Sequence, residues 1–162
     1  MTTSKVKAVL SLGSNLGDRN EQLKEALKCL KIHLTILKKS KIYEAAPYGE
    51  HDQPAFLNMV CIVETDLQVG ELLLVCKQIE EALGREARDR WKEREIDIDI
   101  IYYGKEIIDE DNLMVPHSDM QNRRFVLVPL REIAPRMVHP IFKKTTAQLL
   151  RECADSSIVQ AK

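Results

Sequence analysis

A chain of 162 residues has room for one domain with a real core and little space for a second. Lys and Arg number 24 against 25 Asp and Glu, and the resulting net charge of -1 argues against a duplex nucleic-acid binder, which carries a basic excess, while leaving room for a local arginine cluster around a small anion. No apolar run approaches a membrane span, and the apolar stretch after the N-terminus stops at Gly13, too early for a secretory signal, so a soluble cytoplasmic protein is expected. Cys29, Cys61, Cys76 and Cys153 are widely spaced and form no Cys-x-x-Cys pair. They read as reduced core thiols rather than a metal site.

In chain order, residues 5–12 place Val6, Ala8, Leu10 and Leu12 on one side, which predicts a strand ended by Gly13. Asp18 is a helix cap with Glu21 three residues on, and Leu23, Ala26, Leu27 and Leu30 follow at helical spacing. Residues 34–44 read as a second strand with Lys39 and Lys41 on its wet face. The proline- and glycine-bearing stretch 45–55 is a loop, and residues 56–65 form a third strand with Leu57, Met59, Cys61 and Val63 on one side. A second helix over 68–83 has Val69, Leu72, Leu73, Cys76, Ile79 and Leu83 in one stripe, with Gly84 as its stop. A charged segment, 85–95, precedes a strand over 96–103. Residues 104–124 read as loop, with helices over 126–133 and about 146–153. The order strand, helix, strand, loop, strand, helix, strand is that of a ferredoxin-like βαββαβ α+β sandwich. A single domain over 1–162 is expected, its sheet largely antiparallel, with helices on one face and C-terminal helical additions.

The sharpest local signal is the run Arg94-Glu95-Ile96-Asp97-Ile98-Asp99-Ile100-Ile101. In a strand Asp97 and Asp99 share one face, about 7 Å apart along the chain, and the isoleucines take the other. Two like charges side by side gain nothing for folding. A divalent cation removes the conflict, and magnesium accepts one or two carboxylates with water and phosphate oxygens filling its shell. Two ions about 3.5–4 Å apart would let such a pair clamp a polyphosphate. Alone, Asp-x-Asp is better explained by a solvent-facing edge strand, and the flanking residues change that balance. The preceding segment adds Arg85, Arg88, Arg90, Lys92 and Arg94, guanidinium groups suited to phosphate oxygens. Its competing reading is a solvated charged loop, since Glu86, Asp89 and Glu93 offer ion-pair partners. Trp91, the one tryptophan, suits a lid over substrate.

Two further clusters carry weaker signals. In residues 115–125, His117 and Arg123 suit a phosphate and Phe125 offers a flat face, though a capped turn before a helix uses the same residue types. In residues 43–58, a loop closed by Phe56 and Asn58 suits a flat heterocycle, the ring stacked and the amide reading an N–H and C=O edge; a core Phe with a strand-start Asn is the plainer alternative.

Taken in order, these segments resemble the 6-hydroxymethyl-7,8-dihydropterin pyrophosphokinase family over about residues 6–140. The marks are Leu12-Gly13-Ser14-Asn15-Leu16-Gly17-Asp18-Arg19, then Tyr43 through Asn58 with Asp52-Gln53-Pro54, then Ile79-Glu80 and Gly84-Arg85. Arg94-x-x-Asp97-Ile98-Asp99-Ile100-Ile101 follows, and finally Val115-Pro116-His117 with Asn122-Arg123 and Phe125. The resemblance implies a ferredoxin-like fold and diphosphate transfer from ATP, the co-substrate, to the pterin in folate synthesis, with AMP released. It implies two Mg2+ ions on Asp97 and Asp99. It implies catalytic roles for Arg85, Arg94, Asp97 and Asp99, and an ATP site of Glu80, Arg85, Arg90, Trp91, Arg94, Ile100, His117 and Arg123. Phe56 and Phe125 would sandwich the pterin, Asn58 would bond its edge, Ala45 and Tyr48 would line its loop, and Asn15 would order the substrate loops. A monomer or weak homodimer acting on small molecules, with no nucleic-acid or membrane partner, is expected.

The chain departs from the family pattern in places. Lys92 stands where a small residue is usual, and the loop is about one residue short, which bears on loop closure and on Arg88 and Arg90. Ser118 takes the place of an aromatic, Ala45 that of a Thr, and Lys77 that of a neutral amide near the adenine. The rival classes are a ferredoxin-like binding module without catalysis and a metal-dependent phosphodiesterase using the same acids. The intact acid pair with Arg85, Arg94 and His117 weighs against the first, and the near-neutral charge against the second.

Overall fold

The computed structural model describes residues 4–15, 18–45, 55–83 and 96–162. In chain order these form β1 (Val6–Ser14), α1 (Arg19–His33), β2 (Thr35–Lys39), β3 (Tyr43–Ala45), β4 (Phe56–Thr65), α2 (Val69–Ala82) and β5 (Asp97–Tyr103). The hairpin β6 (Ile108–Glu110) and β7 (Leu113–Val115), a 3-10 turn at Met120–Asn122, α3 (Arg124–Ile133), α4 (Thr146–Glu152) and β8 (Val159–Ala161) complete the chain. The main sheet runs β5-β1-β4-β3-β8, with β2 also on β4, and its pairings are antiparallel.

Period-2 alternation decides what each face of the sheet meets. Ala8, Leu10 and Leu12 of β1, Leu57, Met59, Cys61 and Val63 of β4, and Ile98 and Ile100 of β5 bury against α1 and α2. The helices answer with Leu23, Ala26, Leu27 and Leu30 from α1 and Leu72, Val75, Cys76 and Ile79 from α2. The Asp18 carboxylate accepts from the Glu21 N–H at 3.1 Å, which starts α1 where the capping pattern predicts it. Burial pushes the thiols of Cys61 and Cys76 up to about 12, so both behave as core groups.

The helices do not keep to one face, as the sequence reading expects. Val9, Val60, Ile101 and Tyr102 form a second core on the opposite face with Val126, Leu127, Leu130 and Ile133 of α3 and Leu149 of α4. The sheet is apolar on both sides there, and the α3 stripe covers what would otherwise be an exposed apolar patch. A bulge makes this possible. Val9 pairs with Tyr102 but Leu10 with Ile100, so Ile101 is the extra residue in β5. Ile101 and Tyr102 then both serve the second core, while Tyr103 returns to the first.

Other differences are local. Gly13 does not end β1, which continues through Ser14 opposite Leu57. The strand expected over 34–44 divides into β2 and β3. Between them the Ser40 hydroxyl oxygen accepts from the Val60 N–H at 3.0 Å, and the Ser40 N–H donates to the Val60 carbonyl at 2.9 Å. A side chain thus replaces one rung of the ladder. The loop expected over 104–124 contains the β6–β7 hairpin. The short β8, opposite Tyr43–Ala45, was not expected from the sequence at all.

Candidate active site

Asp97 and Asp99 leave β5 on the α3 face, in phase with Ile101, while Ile98 and Ile100 are buried beneath α1 and α2. The expected alternation therefore holds at the acid pair. Ladder register fixes their neighbours. Gly13 of β1 lies between Asp97 on one side and Asn58 on the other, and Ser11 lies between Asp99 and Val60. Opposed residues of an antiparallel pair project to the same face. Asn58 and, two residues earlier, Phe56 therefore share the face of the acids, and two strand spacings separate the Asn58 and Asp97 backbones by about 10 Å. Ala45 is buried at the end of β3 opposite Phe56.

The segment after β7 brings the third group. The His117 N–H donates to the Ile101 carbonyl at 3.0 Å, which ties this segment to the strand that carries the acids. His117 Nδ1 accepts from the Asp119 N–H at 3.1 Å. Burial, reinforced by the Arg123 cation, holds the imidazole below its ordinary pKa against the opposing pull of Asp99 and Asp119. With Nδ1 an acceptor, the neutral ring carries its proton on Nε2. Arg123 Nη1 is 3.9 Å from Asp99 Oδ2, its Nε is 3.4 Å from Asp119 Oδ2, and its Cζ lies 5.7 Å from the centre of the Phe125 ring. The Asn122 amide also donates to Asp119 at 2.8 Å, and with Arg123 it holds the Asp119 carboxyl below the usual carboxylate range. Arg123 thus joins the acid pair to Phe125.

Glu80 approaches β5 from the other side. It is buried on α2, and its carboxylate accepts from the Ile98 N–H at 2.8 Å, between the two aspartates in sequence. Lys77 Nζ stands 3.7 Å from the same carboxylate. Glu80 therefore fixes the strand that presents the acids. Ile100 packs in the core beneath α1 and α2, leaving its backbone in the ladder.

Asn58 and Asn15 carry buried amide atoms without hydrogen-bond partners among the described residues: Nδ2 of Asn58, and both amide atoms of Asn15 at the end of β1. A buried amide atom without a partner calls for an explanation, and a bound ligand is one. Gly13 is the residue that sequence reasoning missed. A Cβ there would lie 2.8 Å from Asn58 Oδ1. The only signal available was the glycine itself, read as a strand end.

Of the residues expected at the site, Tyr48, Arg85, Arg90, Trp91 and Arg94 lie outside the described residues, as do Arg88 and Lys92. The described ones gather on one side of β5, except Glu80 and Ile100, which back it. Among the described residues no cluster of three His, Cys, Asp or Glu side chains could hold a metal. The donor set is two carboxylates on one face, which fits magnesium, an ion that completes its shell with water and phosphate oxygens. A shallow cavity of about 580 Å3 bordered by α3, α4 and β8, with Arg124, Arg131 and Arg151 in its lining, shares no residue with this cluster.

A mixed α/β fold that sets an acid pair, a guanidinium and an unpaired carboxamide on one face belongs to a small-molecule phosphotransfer enzyme. More particularly, the chain belongs to the 7,8-dihydro-6-hydroxymethylpterin-pyrophosphokinase family, whose model matches residues 9–135. It is 40% identical over 157 residues to the 2-amino-4-hydroxy-6-hydroxymethyldihydropteridine pyrophosphokinase of Haemophilus influenzae, covering 96% of this chain and 98% of that protein. It is 44% identical over 135 residues to the enzyme of the same name from Aquifex aeolicus, covering 83% and 84%. The folic acid synthesis protein FOL1 of Dictyostelium discoideum is 43% identical over 140 residues, 86% of this chain but 21% of that longer protein. Among solved structures, the Plasmodium falciparum HPPK-DHPS wild type with pteroate matches with a TM-score of 0.78 at 18% identity, over 94% of this chain and 45% of that one, which is a likeness of fold.

Proposed function

We propose that this protein transfers the β,γ-diphosphate of ATP to 6-hydroxymethyl-7,8-dihydropterin, releasing AMP, as a step of folate biosynthesis. The carrying observation is the shared face on which Asp97 stands two strand spacings from Asn58, whose Nδ2 has no partner among the described residues, with Asp99 beside Asp97 and Arg123 3.9 Å from Asp99. One end of this face suits polyphosphate and the other suits a flat ring with hydrogen-bonding edges. The antiparallel order β5-β1-β4 with β2 and β3 outside it supports a ferredoxin-like reading, elaborated by α3, α4 and β8. One sheet carries both halves of the site, which supports treating 1–162 as one catalytic domain.

In this reading Asp97 and Asp99 hold two Mg2+ ions. Bound there, the ions would neutralise charge on the phosphate oxygens and help align the reacting groups. The protein's own groups do the rest. Arg123 would exchange its exposed pairing with Asp99 and Asp119 for phosphate oxygens, and His117 would donate from Nε2 to the same chain. Arg85, Arg90 and Arg94 would take the remaining oxygens, with Trp91 closing over them. Glu80 would keep β5 in place as charge develops. Phe56 and Phe125 would stack the pterin, Asn58 would bond its edge, and Ala45 and Tyr48 would line its loop. The substrate hydroxyl oxygen attacks the β-phosphorus in line and releases its proton to solvent water, the bond from that phosphorus to the AMP oxygen breaks, and AMP leaves with the electron pair of that bond. Positioning and electrostatic stabilisation supply most of the rate.

The test is to mix protein, ATP, Mg2+ and the hydroxymethyl-dihydropterin and to follow AMP. AMP formation that requires the pterin supports the proposal. ATP binding without AMP would make the chain a binding module. Cleavage of single-stranded nucleic acid with Mg2+, and no pterin-dependent AMP, would make it a phosphodiesterase.

A further inference from the structure

Gly13 is the next-to-last residue of β1, between Asp97 and Asn58 in the ladder, and its own side-chain direction is toward the face that carries them. Three observations about it stand together. A Cβ placed on Gly13 would come within 2.8 Å of Asn58 Oδ1, with Asn58 Cγ at 3.8 Å and the Leu57 carbonyl oxygen at 3.9 Å next nearest. The backbone is ordinary strand, outside the left-handed region that demands glycine. The Asn58 carboxamide that crosses this position is buried, with its Nδ2 lacking a partner among the described residues. Glycine weakens a strand, through entropy and through the side chain it fails to pack. It is retained here with no turn and no positive φ to require it. What its absent side chain leaves is the seat on which the Asn58 amide lies.

We infer that Gly13 is a positioning residue for pterin recognition: it holds the Asn58 carboxamide flat across β1, aimed along the face toward Asp97. The inference rests on the proposed role of Asn58 in binding the pterin. It adds that selection for the ring edge depends on a missing side chain one strand away from the group that reads it. A methyl group there is tolerated by the fold, because the atom it strikes is the end of a two-torsion side chain that swings aside. Swinging aside is what removes the recognition group from its aim. Gly13→Ala should therefore act on pterin affinity and leave stability and nucleotide affinity almost untouched.

A double-mutant cycle tests this. Pterin affinity is measured by titration calorimetry in the presence of Mg2+ and a non-hydrolysable ATP analogue for wild type, Gly13→Ala, Asn58→Ala and the double variant, with analogue affinity and thermal midpoint alongside. Gly13→Ala should weaken pterin binding about tenfold or more, the scale of losing hydrogen bonds to a desolvated edge. Analogue affinity should stay within about twofold. In the Asn58→Ala background, where nothing is left to strike, the added methyl should change pterin affinity by less than about twofold. Wild-type pterin affinity in Gly13→Ala, or the same loss in both backgrounds, overturns the inference while the proposed function stands. Undiminished pterin binding by Asn58→Ala refutes the role of Asn58 and the inference with it.

Discussion

Replacing Arg123 by alanine separates what the site does for folding from what it does for substrate. In the folded protein Arg123 makes two ion pairs, at 3.9 Å to Asp99 and 3.4 Å to Asp119, with side chains 34%, 46% and 50% exposed in that order. Pairs this open to solvent contribute about 0–1 kcal/mol each. The cation over Phe125 adds about 0.5–1 kcal/mol at an exposed site. Losing all three costs about 0.5–3 kcal/mol, so the thermal midpoint should fall by roughly 1–12 °C, since ~1 kcal/mol moves a domain of this size by about 2–4 °C. Toward a triphosphate the same guanidinium, in the proposed role, would make charge-assisted hydrogen bonds worth about 1.5–3 kcal/mol, or roughly 10–150-fold in affinity. Calorimetric titration with a non-hydrolysable ATP analogue and Mg2+, set beside a melting curve, reads both numbers. Removing the cation should also let His117 titrate higher, visible by NMR, because Arg123 is one of the two influences holding its pKa down. Unchanged nucleotide affinity would refute the assignment, as would a loss of stability well beyond about 3 kcal/mol.

Two further outcomes follow from the same geometry. Phe125→Ala should raise the KM for pterin roughly 5–150-fold, the scale of about 1–3 kcal/mol for stacking a heterocycle on an aromatic ring, and leave the KM for ATP nearly unchanged; equal losses for both substrates would remove the stacking role. His139 is buried, and its Nδ1 accepts from the N–H groups of Ile141 at 3.2 Å and Phe142 at 3.1 Å. Burial lowers its pKa, so the unfolded chain takes up this proton first as pH falls, and stability should hold above about pH 7 and decline below the unfolded value near 6.5. One such group gives a slope of at most about 1.4 kcal/mol per pH unit. Urea midpoints between pH 7.5 and 5.5 should fall more steeply in wild type than in His139→Asn, and parallel lines would contradict the role of burial.

Much of the site could be read in the sequence because strand alternation is a local rule. Asp97 and Asp99 had to share a face, and Phe56 and Asn58 likewise. The cap at Asp18 and the stripes of α1 and α2 were visible for the same reason: each is decided within a turn or two of its own residues. The features that stayed hidden depend on partners distant in sequence. That Gly13 seats Asn58 requires the β1–β4 register, which brings together residues 45 positions apart. The bulge at Ile101 requires the β1–β5 register, and the second core requires knowing that α3 folds back over the sheet. Ser40 breaks a strand by bonding Val60, which no local pattern announces. Glu80 was placed at the site by resemblance, but its hold on the Ile98 N–H appears only when α2 is set behind β5.

Diphosphate transfer by Asp97→Asn and Asp99→Asn, compared with wild type, tests the central claim most directly. Amide substitution keeps the size of each side chain and removes the charge that would hold Mg2+. The account predicts that pterin-dependent AMP formation nearly disappears in each variant while the melting temperature stays within a few degrees of the wild-type value, because lost pairing such as that of Asp99 with Arg123 is exposed and weak and relief of like-charge repulsion offsets it. Near wild-type turnover in either variant, at saturating Mg2+, would contradict it.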